Sequence, residues 1–483
     1  MGAGNKQNDD QMNEGGLGIS GSVSRRNFLK MAGIAGAAVG LGAGLGGVVA
    51  ACGGEETTTT TAGATETTVA ASSSTTAGDT TTVSASEEVA GELKCGYVVP
   101  ITGGMALFGA AAKWQVDWME KNVWKDGLVC GDGKKYKITA IIGDSQSDSN
   151  RSAQVAADLI TNTGITMIGG SSSASNVIPV RDQAEALECP GVYYDCPGDA
   201  WAAGLTEPLK WNWCAWWAGK HVVGNFFDMW TKLPHNKVLG GLWENTADGQ
   251  VFAGLKPVME EMGLTVVDPG IYNVGTEDYS AIIGQFKKAG VEIVQGASEP
   301  GDFSNFWKQA VQQGFRPKIV TVAKAMLFPQ GVEALGDLGG GMTVEAWYHP
   351  SYPFKSDVTG MTPQQYCDAY EADTGNQWTQ PVCFIGCFEL WTDILRRTLD
   401  PMDKNSIVDA IKQTKVTATG GPVDWTVNPE PVMGFYNFCT KPVAGGQWVK
   451  GKGKFKYDLE LVSNATHPEI PTTAQMIEVQ FPA

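Results

Sequence analysis

Histidine is scarce in this chain: His221, His235, His349 and His467 are the four in 483 residues, and they are widely scattered. No Cys-x-x-Cys is matched by a second one, so a structural zinc site is excluded as a design principle. Basic charge is also short, with 35 Lys and Arg against 52 Asp and Glu and a net charge of −17. Without a Lys/Arg stripe, nucleic acid is a poor partner. Beyond residue 51 no apolar run is long enough to cross a bilayer. Motifs of common hydrolases and nucleotide enzymes are missing too: there is no Gly-x-Ser-x-Gly elbow, no Walker loop and no His-Glu-x-x-His. These gaps count against an enzyme, and no catalytic residue, cofactor or metal is expected.

The amino end carries a clear pattern. Arg25 and Arg26 are followed by Asn27-Phe28-Leu29-Lys30 and then an apolar run to Ala51. Paired arginines before such a run form a twin-arginine export signal. The run is mostly Gly and Ala, which makes a poor permanent span and a plausible export segment. It ends in Val49-Ala50-Ala51-Cys52, which resembles a bacterial lipobox, with Cys52 as the lipidation site. Residues 1–51 are therefore expected to be a twin-arginine lipoprotein signal, and two or three acyl chains on Cys52 would anchor the protein to the outer face of the cell membrane. From 52 to 91 the chain is Thr, Ser, Ala and Gly with scattered acids and no apolar periodicity, which reads as a disordered tether. As a flexible coil it would span roughly 35 Å. Of ten cysteines, nine remain after Cys52, an odd number for an oxidising compartment, and some disulfides are expected among them. Cys189 and Cys196, flanking a short extended segment, are too far apart to pair with each other.

Residues 92–483 are enough for two lobes. Strand-like and helix-like stretches alternate. Strands are expected at Lys94–Val99, Lys137–Ile142, Ile165–Ile168 and Gly191–Asp195, with helices between them over Phe108–Trp124, from an Asn150 cap, and over Val177–Leu187. The rhythm restarts at Val238–Leu242 and runs to Lys318–Val322. Repeated β-α-β units with short Gly-rich turns imply an α/β fold of two Rossmann-like lobes with parallel sheets. A helical stretch over about Cys383–Thr414 follows. Gly420-Gly421 and Gly445-Gly446 then punctuate a terminal antiparallel hairpin region.

Several segments carry a specific likeness: Tyr97-Val98-Val99-Pro100-Ile101-Thr102-Gly103 with Phe108-Gly109, Ile168-Gly169-Gly170-Ser171-Ser172-Ser173, Tyr194-Asp195-Cys196-Pro197, Thr276-Glu277-Asp278-Tyr279-Ser280, and Gln309 to Phe315. In this order and spacing the domain resembles a type I periplasmic binding protein of the leucine/isoleucine/valine-binding family. The resemblance implies a hinge crossed three times, placed near 215, 324 and 416. Lobe 1 would hold about 92–214 and 325–415, lobe 2 about 215–324 and 416–450, with 451–483 as a tail. It implies the extracytoplasmic substrate-binding component of an ABC importer, capturing an amino acid or amide-like solute by lobe closure and presenting it to a membrane permease. A ligand-sensing lipoprotein that signals to a membrane partner is the alternative, and a secreted hydrolase a weaker one.

A ligand in such a fold sits beyond the carboxyl ends of the strands. Ser172 and Ser173, between a strand and a helix, offer hydroxyls and helix-start N–H groups to an anion such as a carboxylate; one serine would suffice for capping alone. By resemblance, Gly198, Asp199 and Ala200 form the next strand exit, although Asp199 and Ala200 depart from the small and hydroxyl residues of the family. Phe108 matches a rim aromatic, Tyr279 a ring beside the ligand, and Asp302 the acid that takes the ligand's ammonium. Asp302 could equally cap the helix that follows it. Of the tryptophans crowding the first crossing, Trp201 and Trp217 are the two placed near ligand, the rest in the core.

Overall fold

The computed structural model describes residues 89–427 and 437–482. Arg25, Arg26, Cys52 and nearly all of the expected tether lie outside those residues.

Sixteen strands are described. The first lobe is built on β1 (Gly91–Val99), β2 (Leu128–Val129), β3 (Lys135–Asp144), β4 (Met167–Gly170), β5 (Gly191–Tyr193) and β6 (Asn212–Trp216). The second is built on β7 (Val238–Trp243), β8 (Thr265–Val267), β9 (Ile293–Ala297), β10 (Ile319–Ala323) and β11 (Thr343–Ala346). A small antiparallel ribbon joins β12 (Lys415–Ala418) to β13 (Gly421–Asp424). The chain closes with β14 (Phe438–Thr440), β15 (Ala444–Lys450) and β16 (Tyr457–Ser463). Each lobe has a seven-stranded sheet, ordered β14-β6-β5-β4-β1-β3-β2 and β16-β15-β11-β10-β9-β7-β8. Both are parallel through their centres. Antiparallel pairing is confined to β2 against β3 in the first sheet and to the β11–β15–β16 edge of the second.

The central strands are buried on both faces, which is why they read as continuous apolar runs. Helices α1 (Ala112–Asn122), α2 (Ser149–Asp158) and α3 (Ser173–Ala186) flank the first sheet, and α4 (Gly219–Thr231), α5 (Ala247–Gly254), α6 (Ser280–Ala289) and α7 (Pro300–Gln312) the second. The α2 cap is Asp148, not Asn150: its carboxylate accepts the Arg151 N–H at 2.7 Å. Further along, α8 (Pro363–Thr374) and α9 (Ile385–Arg397) return to the first lobe. There α9 lies close against β4. A Cβ at Gly169 would meet Cys387 Sγ at 2.8 Å and the Trp391 ring at 2.9 Å, so only glycine lets the helix approach this near.

The division of the chain between lobes differs from the expected one. The first crossing falls at 217–218, between β6 and α4, where Trp230 on α4 donates to Thr321 Oγ1 of the second lobe. The expected second crossing near 324 comes too early. β11 pairs parallel with β10 and antiparallel with β15, so it belongs to the second sheet and the chain crosses after it. The third comes at 441–443 rather than near 416, because β14 pairs with β6 in the first sheet and β15 with β11 in the second. Residues 451–483 are not a simple tail either. β16 extends the second sheet, Val479 donates to the Lys318 carbonyl, and Phe481 packs against Trp307.

The expected disulfides are also absent among the described residues, where nine cysteines are free and buried. Buried and unpaired, they act as small hydrophobes. Burial pushes thiols such as Cys95, Cys189 and Cys196 well up, which keeps them unreactive.

Candidate functional site

Both sheets direct the carboxyl ends of their strands at one cavity of about 240 Å³. The first lobe supplies Phe108 after β1, Ser173 at the start of α3, and Asp195, Pro197, Asp199 and Ala200 after β5. Trp217 lines it from the first crossing. The second lobe supplies Asp248 and Phe252 from α5, Lys324 and Leu327 after β10, and Glu345 and Trp347 at the end of β11. Most of the wall is apolar and aromatic, and its polar groups are nearly all charged.

Those charges are distributed unevenly. Lys324 Nζ lies 2.6 Å from Glu299 and 3.7 Å from Asp248. Burial works to lower its pKa, but Asp248 and Glu299 together hold the ammonium above its ordinary value. Asp199 Oδ2 accepts the Gly219 N–H at 2.5 Å, fixing the entry to α4. Asp195 and Glu345 have no such cationic relief. Each is 5% exposed, and each leaves one carboxylate oxygen, Asp195 Oδ2 and Glu345 Oε2, without a hydrogen-bond partner. Burial pushes Asp195 well above the usual carboxylate range; the backbone N–H groups of Ser173 and Ser172 oppose the rise, and Asp248 and Glu345 add to it. Burial likewise raises Glu345 to about 8.

Glu345 is held by its surroundings. The buried amide of Gln380, in the one-turn segment Gln380–Phe384, accepts the N–H of Trp347 at 2.7 Å and donates to the carbonyls of Leu327 and Glu345 at 3.3 and 3.2 Å. Gln115 on α1 reaches the neighbouring Pro381 carbonyl at 2.6 Å. A first-lobe segment thus clamps the second-lobe strand ends. The rings of Phe108 and Phe328 meet across the same gap at 4.8 Å.

Residues 92–436, well over half of the chain, match the periplasmic binding protein family. The chain belongs to the periplasmic binding protein family. Such proteins bind solutes. Residues 22–42 of this binding protein match the twin-arginine translocation signal sequence, which marks it for export. It is 24% identical to Leu/Ile/Val-binding protein homolog 8 of Brucella abortus over 298 residues, 59% of this chain and 71% of that one. Its fold is similar to that of the branched-chain amino acid transporter substrate-binding protein LivJ of Streptococcus pneumoniae in complex with isoleucine, with TM-score 0.60, 13% identity and 77% and 99% of the two chains covered. It is equally similar to an ABC transporter solute-binding protein of Rhodopseudomonas palustris in complex with 3,4-dihydroxybenzoic acid, with TM-score 0.60, 18% identity and coverage of 78% and 99%.

Of the residues singled out by sequence, the binding protein brings Phe108, Ser173, Asp199, Ala200 and Trp217 to the cavity wall. Ser172 is fully buried behind it, and Gly198 spends its N–H on the Trp217 carbonyl. Trp201 lies in the first-lobe core, under the Arg181 guanidinium and beside Tyr193. Tyr279 and Asp302 need correction as ligand groups. Tyr279 is 0% exposed and packs edge-on against Tyr272 and Phe306. Asp302 is in the first turn of α7, whose cap is Glu299, and its Oδ2 accepts the Gly275 N–H at 2.7 Å. It secures a loop away from the cavity wall. We expect Asp302→Asn and Tyr279→Phe to leave solute affinity within about twofold by titration calorimetry, the usual scale for substitutions outside a contact surface.

Sequence reading passed over Asp195, Asp248, Lys324 and Glu345. A signal existed for two of them. Glu345 is a lone acid inside a buried strand, and Asp195 closes the apolar run Gly191-Val192-Tyr193-Tyr194. Ionisable groups in such positions are costly unless they serve a site.

Proposed function

We propose that this protein is the substrate-binding component of an ABC importer, a lipoprotein held by Cys52 on the outer face of the cell membrane. It captures a small organic solute, of amino-acid or amide-like size, and presents it to a membrane permease. One observation carries this reading: a single small cavity is walled by strand ends of both sheets, so an occupant contacts both lobes at once. A ligand that touches both halves favours the closed arrangement by its differential affinity for it. The names of its relatives, Leu/Ile/Val-binding homologues and ABC transporter binding proteins, support the same role. The test is a thermal-shift screen of amino acids, amines, amides and aromatic acids, followed by small-angle scattering with each binder. A saturating shift with a smaller radius of gyration is expected. Absence of both for every class would reject the reading.

Anchoring has its own check. Cys52→Ser should move the protein from the membrane fraction to the soluble extracytoplasmic fraction, since the acyl chains hold it there. Replacing Arg25 and Arg26 together by Lys should leave it inside the cell. Immunoblots of fractionated cells read both results.

A further inference from the structure

We propose that the cavity selects small organic amines that carry no carboxylate, because Asp195 already occupies the anion-favouring start of α3 and, with Glu345, presents two unpaired buried carboxylates to a cation. This deepens the reading of the cavity as a solute site and rests on it.

Three observations support it. The first is where Asp195 lies. The start of a helix as long as α3, 14 residues, attracts anions through its exposed N–H groups and its dipole. The protein's own Asp195 carboxylate is set against the Ser172 and Ser173 N–H groups at that start. A ligand carboxylate placed there would meet this side chain instead of bare donors. The backbone is bent to make the arrangement: Ser172, Ser173 and Asp195 have φ of 88°, 68° and 54°. Non-glycine residues rarely hold such angles without a functional reason.

The second is the charge count. Among the described residues lining the cavity, Lys324 is the cation, and it is engaged by Glu299 and Asp248. That leaves Asp195 and Glu345, each nine-tenths buried or more, each with an oxygen that no protein group meets. A buried carboxylate facing a ligand ammonium forms a short, charge-assisted bond. Among the described residues no three acids, histidines or cysteines gather tightly enough to hold a metal ion, so an organic cation is the better match.

The third is the remainder of the wall. Phe108, Trp217, Phe252 and Trp347 give an apolar, aromatic enclosure suited to a hydrocarbon or aryl body behind the ammonium. Because burial raises Glu345 to about 8, its carboxyl in the empty cavity holds a proton at neutral pH that an arriving ammonium expels to solvent.

Matched pairs test this on the purified full chain: phenethylamine against phenylalanine, 3-methylbutylamine against leucine, and cadaverine against lysine, by titration calorimetry in two buffers of different ionisation enthalpy. We expect each amine to bind at least tenfold more tightly than its parent amino acid, with net proton release. Asp195→Asn should shrink that preference at least tenfold. Should Asp195→Asn not fold, the comparison within the native protein decides alone. An amino acid binding as tightly as its amine, or amides or aromatic acids binding in preference to both, would overturn the selectivity while leaving the transport reading standing. An unchanged preference in Asp195→Asn would also overturn it. If no solute of any class binds, the transport reading fails first and the selectivity with it.

Discussion

Replacing Glu345 by Gln should weaken binding of a cationic solute roughly a hundredfold, about 2.7 kcal/mol, and flatten the dependence of that binding on pH. The magnitude follows from removing one partner of a buried charge pair, which typically costs about 2–5 kcal/mol. Gln keeps the size of the side chain, so the loss is electrostatic. The pH dependence has two opposing parts. With its carboxyl raised to about 8 in the fold, Glu345 keeps a proton that the unfolded chain has already released. The ligand-free protein therefore loses stability as pH climbs from the ordinary carboxylate range to about 8. Cation binding needs the ionised form, so affinity grows over the same interval and levels off above it. The groups facing Glu345 are Lys324, whose backbone N–H favours its ionised form, Asp248, whose charge opposes it, and Asp195 across the cavity, whose own rise Glu345 adds to. Melting temperatures with and without ligand should therefore diverge as pH rises from 6 to 8, and Glu345→Gln should remove most of the divergence. Parallel curves in the native protein would show that Glu345 does not meet the cation.

Trp216→Ala should cost roughly 3–5 kcal/mol of stability, the range for truncating a buried aromatic. Trp216 is 1% exposed at the end of β6, just before the chain leaves the first lobe. Its ring lies 5.0 Å from Trp347 of the second lobe and 5.8 Å from Phe384 of the first, and Trp347 and Phe384 stack at 5.4 Å. These rings bridge the lobes, so the cavity left by Ala opens in the hinge itself. Trp217→Ala is the contrasting variant: its ring lines the ligand site, so affinity should suffer more than stability. Denaturant titration of the two side by side reads the difference. A stability loss under about 1 kcal/mol for Trp216→Ala would mean the hinge repacks around the gap.

Much of the architecture was legible because β-α-β rhythm is local: apolar runs such as Ile319–Ala323 and the Gly-rich turns after them mark parallel strands wherever they occur. The allotment of segments to lobes was not, because it depends on pairing between distant residues. Nothing within Thr343–Ala346 states that its neighbours are Thr321 and Gln447, and β14 finds β6 more than two hundred residues away. The site divided along the same line. Ser173 could be read from its place between a strand and a helix, while Phe108 and Asp199 were placed by likeness to relatives and do line the cavity. Tyr279 and Asp302 were placed by the same likeness, and here an aromatic cluster and a loop hydrogen bond claim them. Asp195 and Glu345 were hidden in runs whose apolar character drew attention to packing.

The nine unpaired thiols of the described residues set how this molecule meets damage. Folded, the domain owes nothing to an oxidant, and strong reductant should leave it intact. Melted in air, it would release all nine sulfurs together, free to couple in arrangements the native chain never uses. Its tolerance of heat is then governed by how rarely it opens, not by how readily it could return.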